Sequence, residues 1–325
     1  MNIQTFVRAV SVVGLAWAAM LSAPAAAQYP DKPIRLVVPW PAGGGSDVIA
    51  RIVAQSMGER LKQPVVIDNR PGANGAIGSD IVARAPKDGY TLVWVTADTH
   101  AINPHVYPKL TYDPRKDFVS VGIAGYFPYA LVVNPAFSGS SIADFSAQAA
   151  QRPGKITFAS WGVGGSSHVG MEIYMQQAKV QMLHVPFLGA APAMLAVVAG
   201  QVDAMMVPMA AADGFIKGGK LKSLGLAAPS RFAGAPDLKT MAEQGVPVNA
   251  GSWLGIMAPT GTPPEILATL NRALNATVES APVREAMLKL NTEPSTMTVP
   301  QFKAFVDSEY EHWGKAVREA KIKLE

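Results

Sequence analysis

The residue patterns best suited to chemistry are two glycine-rich turns, each carrying hydroxyls at the head of a helix. The first is Trp40-Pro41-Ala42-Gly43-Gly44-Gly45-Ser46-Asp47, after the apolar run Ile34-Arg35-Leu36-Val37-Val38. The second is Trp161-Gly162-Val163-Gly164-Gly165-Ser166-Ser167-His168, after Lys155-Ile156-Thr157-Phe158-Ala159-Ser160. Each reads as strand, turn and helix start, so one unit occurs twice. Glycine lets the backbone approach a ligand closely, and the first turn of a helix presents unpaired N–H groups whose dipole favours an anion. Two such turns in two lobes could hold the two ends of one small anion. The alternative is a pair of ordinary tight turns in which Ser46 and Ser167 only cap their helices. Neither turn is a nucleotide loop. The first lacks the Lys-Ser/Thr of a P-loop, and the second lacks the third glycine of a dinucleotide fingerprint.

Other chemistries are weaker fits. Ser167 beside His168 suggests a nucleophile and a base, but sequence neighbours seldom face each other and no G-x-S-x-G elbow is present. His168 and Glu172 stand at i,i+4 and form half a metal site on paper. An early helical glutamate is equally accounted for by the helix dipole, at ~0.3–1 kcal/mol. The chain has no cysteine and no further His or Asp at ligand spacing, so neither metal nor cofactor is expected and no catalytic residue is assigned. His100 and His105 flank Asn103-Pro104 in an expected loop and take a structural or surface role. Trp40 and Trp161 either wall a pocket or close the lobe cores.

The elements that position these turns follow from the hydrophobic pattern. Short β-rich runs at residues 34–38, 65–68, 91–96, 130–134, 155–159 and 252–258 read as strands. Helical patterns lie between them, the best marked over residues 47–61, with Val48, Ile49, Ile52, Val53, Met57 and Leu61 on one face. This alternation argues an α/β fold with mostly parallel sheets. Thr262-Pro263-Pro264-Glu265 predicts a capped helix start at Thr262, and Thr298 with Gln301 predicts another, so the C-terminal third is mainly helical. Residues 180–202 carry no formal charge, but Pro186, Gly189, Pro192 and Gly200 break them into a strand, a turn and a short core helix.

The whole chain sets the class. Residues 1–27 hold one charge, Arg8, an apolar run too short to span a membrane, and a small-residue stretch ending at Ala27. They read as a cleaved secretory signal peptide, and without cysteine no lipid can be attached at the new terminus. The expected product is free in an exported compartment and independent of disulfides. With 28 Lys and Arg against 24 Asp and Glu, scattered rather than clustered, nucleic acid is not an expected partner. A chain of 325 residues exceeds what one core usually serves, so two lobes are expected.

Taken together, these blocks resemble the tripartite tricarboxylate transporter substrate-binding receptors, the Bug family of extracytoplasmic solute receptors. The likeness rests on VVPWPAGGGSD (37–47), DNRPGANGAIGSD (68–80), the block at 99–118, GVGGSSHVGMEIY (162–174), HVPFLGAAPAM (184–194) and GIMAPTGTPPEI (255–266), in that order. The resemblance implies a two-lobed periplasmic binding protein, a Venus flytrap. Each lobe would be a mostly parallel sheet flanked by helices, with two crossing strands joining them. Lobe one would comprise residues 28–129 and 253–325, and lobe two residues 130–252. It implies a monomer that binds a small carboxylate (a dicarboxylate, an aromatic carboxylate or an amino acid) and delivers it to membrane permease subunits. A sensing receptor for a signalling partner, or an exported enzyme on the same scaffold, are the alternatives. Carried over by position, the ligand residues are Trp40, Pro41, Ala42, Gly43, Gly44, Gly45, Ser46 and Asp47 in lobe one. Trp161, Gly164, Gly165, Ser166, Ser167 and His168 are those in lobe two, with Thr96, Asp98 and Thr99 a third contributor. Three positions depart from the family pattern. Leu188 stands where a basic residue is common, Asp98 where small or neutral residues are usual, and the segment after Asp203 lacks its frequent acidic or amide residue.

Overall fold

The computed structural model describes residues 29–322. The proposed leader, residues 1–27, lies outside the described residues. The strands in chain order are β1 (Ile34–Val38), β2 (Val65–Asn69), β3 (Thr91–Thr96), β4 (Phe118–Phe127), β5 (Tyr129–Val133) and β6 (Thr157–Ser160). They continue with β7 (Leu183–Pro186), β8 (Ala204–Pro208), β9 (Lys222–Leu226), β10 (Ser252–Pro259) and β11 (Glu293–Pro294). The helices are α1 (Gly45–Leu61), α2 (Ala76–Ala83), α3 (Asn103–Val106), α4 (Ile142–Gln151) and α5 (Ser166–Ala178). After these come α6 (Ala190–Val198), α7 (Met209–Lys217), α8 (Pro264–Glu279), α9 (Ala281–Lys289) and α10 (Val299–Glu319). Among the described residues no helix is long and apolar enough to cross a membrane; the uncharged stretch divides into β7, a turn and α6.

The strands form two sheets, ordered β11-β4-β10-β3-β1-β2 and β7-β6-β8-β5-β9. The chain thus passes from the first sheet to the second between Phe127 and Tyr129, and returns between Leu226 and Ser252. Both sheets are mixed, which corrects the expectation of mostly parallel ones. β1 runs parallel to β2 and β3, and β6 parallel to β7 and β8. β10 is antiparallel to β3 and β4, and β5 antiparallel to β8 and β9. The parallel rule governs consecutive strand-helix-strand units. β5 and β10 enter their sheets from the other lobe, so that rule does not set their direction.

Burial follows from layers on both faces. In β5, Leu131 and Val133 join a core running through both lobes, while Ala130 and Val132 join a second cluster on the other face of the sheet. A strand covered on both sides reads as an unbroken apolar run. Two other features depart from the predicted pattern. Thr262 does not cap α8; its hydroxyl donates to the Pro259 carbonyl at 2.8 Å, and Pro263 takes the cap position. His100 and His105 lie not in a loop but in a π-helical turn, Asp98–Ile102, and in α3.

The last helix ties the scaffold together. Thr298 and Gln301 close a reciprocal capping box at the head of α10. Further along, Glu309 accepts from the Trp253 and Trp313 indoles, both at 3.1 Å, fixing α10 to the returning strand β10. His105 and the Tyr310 carbonyl meet at 3.0 Å, fixing α10 against α3 as well. Removing an N-cap hydroxyl costs about 1 kcal/mol. Thr298→Ala should therefore lower unfolding stability by about 1 kcal/mol in urea titration followed by far-ultraviolet circular dichroism.

Candidate functional site

The two glycine turns are backbone copies of each other. In lobe one Gly43 has φ 81 and the cap residue Gly44 has φ −71, ψ 159. In lobe two Gly164 has φ 76 and the cap residue Gly165 has φ −70, ψ 157. The positive φ at Gly43 and Gly164 is the conformation only glycine adopts without strain. Each turn is braced by a side chain four residues on: Asp47 Oδ2 accepts from the Gly43 N–H at 2.8 Å, and His168 Nδ1 from the Gly164 N–H at 3.1 Å. Gly45, Ser46 and Asp47 thus correspond to Ser166, Ser167 and His168.

Similar backbones carry different surroundings. In lobe one, Pro41, Ala42, Gly43, Gly44 and Gly45 are all exposed. The N–H groups of Gly45, Ser46 and Asp47 have no partner among the described residues, as expected for the head of a helix. Asp47 is buried and braces the turn from inside, accepting from Arg51 Nε at 2.9 Å and Asn69 Nδ2 at 2.7 Å as well as from Gly43. Burial alone would raise its pKa, but these donors outweigh it and hold the carboxyl below its ordinary range. Ser46 accepts from the Trp94 indole at 3.0 Å, so its hydroxyl is anchored to β3.

In lobe two, Gly164, Gly165, Ser166, Ser167 and His168 are all buried. Lobe-one residues cover them. A Cβ on Gly164 would collide with Val106 of α3. Asp98 reaches across from the end of β3: Oδ1 accepts from the Ser166 N–H at 2.9 Å, and Oδ2 from the Ser166 hydroxyl at 2.9 Å. Asn74 Nδ2 adds a longer contact to Oδ1 at 3.3 Å, and Tyr129 and Ser166 share a hydroxyl bond of 2.8 Å. Every group that touches the Asp98 carboxyl donates to it, and these bonds favour the ionised form. Burial still pushes its pKa above the usual value, with the Ser166 and Asn74 bonds opposing the shift.

The crossing strand sits between the turns. Phe127 packs on Gly45, where an added Cβ would lie 3.0 Å from its ring and 3.8 Å from Ala210 of α7, while Tyr129 bonds Ser166. Two residues of one hinge thus touch both turns. Ser167 donates to the Met206 carbonyl at 2.5 Å and His168 faces Glu172 at 3.5 Å, so the pair does not form a nucleophile and base. Among the described residues no three His, Cys, Asp or Glu side chains are grouped to hold a metal. Thr99 is enclosed, bonding both the amide and the carbonyl of Thr96, whereas the Thr96 hydroxyl and the Trp40 indole N–H are buried without a partner. Trp161 lies against Gly165 and edge-on to Tyr129.

Sequence reasoning passed over several supports. Asn69 and Asn74, inside the DNRPGANGAIGSD block, brace Asp47 and Asp98 respectively. His184 bonds Ser160 at 2.7 Å beneath the second turn and stacks on His168 with ring centroids 3.8 Å apart. Its pKa falls to about 3, chiefly through burial and then through His168. A cavity of about 730 Å³ opens beside the crossing, lined by Tyr126, Phe127, Trp253, Phe305 and Glu309, but no glycine of either turn lines it. The helix-head donors therefore mark the candidate site better than cavity volume does.

Comparison with known proteins follows the same lines. The model of the tripartite tricarboxylate transporter family receptor matches residues 49–322. The chain is similar to Protein BugT of Bordetella pertussis, 35% identical over 321 residues, covering 98% of each chain. Rpa4515 of R. palustris, solved with adipate, matches with TM-score 0.85 and 32% identity over 91% of this chain and 100% of that one. MatC of Rhodopseudomonas palustris, solved with bound malate, matches with TM-score 0.79 and 31% identity over 89% of this chain and 100% of that one. With the family model spanning most of its length, this two-lobed α/β chain belongs to the tripartite tricarboxylate transporter receptor family.

Proposed function

We propose that this receptor captures a small carboxylate between its lobes and presents it to the membrane permease of a tripartite transporter, with no chemistry of its own. The observation that carries the reading is the head of α1. There, three unpaired N–H groups, of Gly45, Ser46 and Asp47, open on an exposed glycine turn at the seam between lobes. The carboxylates bound by Rpa4515 and MatC, both about as similar to this chain as BugT, support the ligand class. Export through a leader cleaved after Ala27 would place the receptor free in the periplasm as a monomer. Of the expected site residues, the proposal keeps the lobe-one turn as the carboxylate contact. Trp40 and Thr96 supply an indole N–H and a hydroxyl that the protein leaves unpaired.

Binding to the native state alone stabilises a protein by RT ln(1 + [L]/Kd), about 2.7 kcal/mol at a hundredfold excess over Kd. A thermal-shift screen of ligand-free protein against mono- and dicarboxylates, amino acids and aromatic acids should give at least one shift of several degrees. A screen without a hit sinks the carboxylate reading. Gly44→Asp tests the location. Gly44 is the N-cap of α1 and its Cβ direction is open, with only the Pro41 carbonyl at 3.4 Å. An aspartate there would offer its own carboxylate to the helix head. Melting temperature should hold or rise while affinity for the screened ligand falls at least tenfold by calorimetry. Unchanged affinity in a folded Gly44→Asp protein would move the site elsewhere.

A further inference from the structure

The two turns share one geometry, yet only one is open to a ligand. At the position where lobe one leaves the Gly45 N–H free, lobe two has the Ser166 N–H already bonded to Asp98, and the Ser166 hydroxyl bonds the same carboxylate. We infer that Asp98 sets the ligand class by filling the lobe-two cradle with the protein's own carboxylate, so that the receptor takes carboxylates bearing one negative charge and rejects dicarboxylates. The inference rests on the carboxylate reading above and narrows it.

The physical argument is one of displacement. A ligand's second carboxylate could reach the head of α5 only beside an existing anion or in its place. Two carboxylates sharing one site repel, and one of them must take up a proton. Expelling Asp98 instead would leave a side chain only 4% exposed without its donors, in a pocket closed by Val106 and Tyr129. A neutral or cationic far end meets neither penalty, and a cation gains from the carboxylate. The Tyr129 phenol stays neutral beside this carboxylate, because burial pushes its pKa well above the ordinary value.

The test is calorimetric titration of the full mature receptor with matched pairs of mono- and dicarboxylates on aliphatic, aromatic and amino-bearing skeletons. The expected wild-type result is at least tenfold tighter binding of the monocarboxylate in the pair that binds. Asp98→Asn should shift that ratio at least tenfold towards the dicarboxylate. Ser166→Ala, which removes one donor but keeps the charge, should still favour the monocarboxylate. A wild-type preference for the dicarboxylate, or an unchanged ratio in folded Asp98→Asn, overturns the inference while leaving carboxylate binding intact. Failure of every acid to bind overturns both. If Asp98→Asn does not fold, the wild-type ratio decides alone.

A pH series provides a separate readout of whether the carboxylate stays in the cradle in solution. Burial raises the Asp98 pKa above 3.8, so its contribution to stability is complete below the unfolded value and is lost as pH rises through the folded one. Four of the facing groups keep one protonation state across that window. The Tyr107, Tyr112 and Tyr129 phenols are pushed up by burial, and burial holds His100 at about 3. His168, on the same helix as Ser166, faces Glu172 in wild type and variant alike. The melting temperature of wild type relative to Asp98→Asn should therefore fall as pH is raised from about 4 to 8. A difference that stays flat with pH, together with an unchanged monocarboxylate preference in folded Asp98→Asn, would overturn its occupancy of the cradle.

Discussion

A carboxylate buried between two lobes must be met by donors, and the bond between Asp98 and Ser166 is where this structure meets that demand. Asp98 belongs to the first sheet's side of the molecule and Ser166 to the second. Neither lobe alone satisfies the group: the first supplies Asn74, and the second supplies the Ser166 amide and hydroxyl. The interlobe seam therefore has a fixed register at this point, since a sideways shift would strand a buried charge. Val106 against Gly164 enforces the same register by shape. Only a residue without a side chain fits beneath the valine.

The crossing strand extends this constraint to the open turn. Phe127 and Tyr129 lie on either side of Pro128, one packed on Gly45 and the other bonded to Ser166. α10 reinforces the arrangement from behind, holding β10 through Glu309 and bonding α3 through His105. Burial raises the Glu309 pKa, against the pull of His312 and the two indoles, so its anchor too relies on donors brought from separate elements.

Local features were legible in the sequence wherever the cause was local. The paired glycine turns, α1, the strand at 91–96 and the capping box at Thr298 all follow from residues within a few positions of one another. The misreadings share a different cause. The direction of β10 depends on a crossing after more than a hundred residues of another lobe, and no local pattern carries that information. Thr262 has the right composition for a cap, but two prolines follow it, and its hydroxyl finds the Pro259 carbonyl instead. Asp98 stood out as a charge in an unusual place. Its partner, 68 residues away at the head of α5 in the other lobe, could be identified only from the fold.

Duplication of the turn does not make the two halves of the cleft equivalent. The backbone torsions agree to within a few degrees, and each turn receives a brace from the residue four positions on. What differs is what faces each turn: Phe127 and Ala210 approach the first with apolar atoms, whereas Asp98 approaches the second from across the seam with a charge. A helix head is indifferent to the origin of the anion it binds, because its donors and dipole act on charge and distance alone. Changing one side chain opposite the cradle can therefore change which acids fit, while the cradle, the strand beneath it and the helix behind it stay as they are. Specificity in such a cleft resides as much in the residues facing the two turns as in the turns themselves.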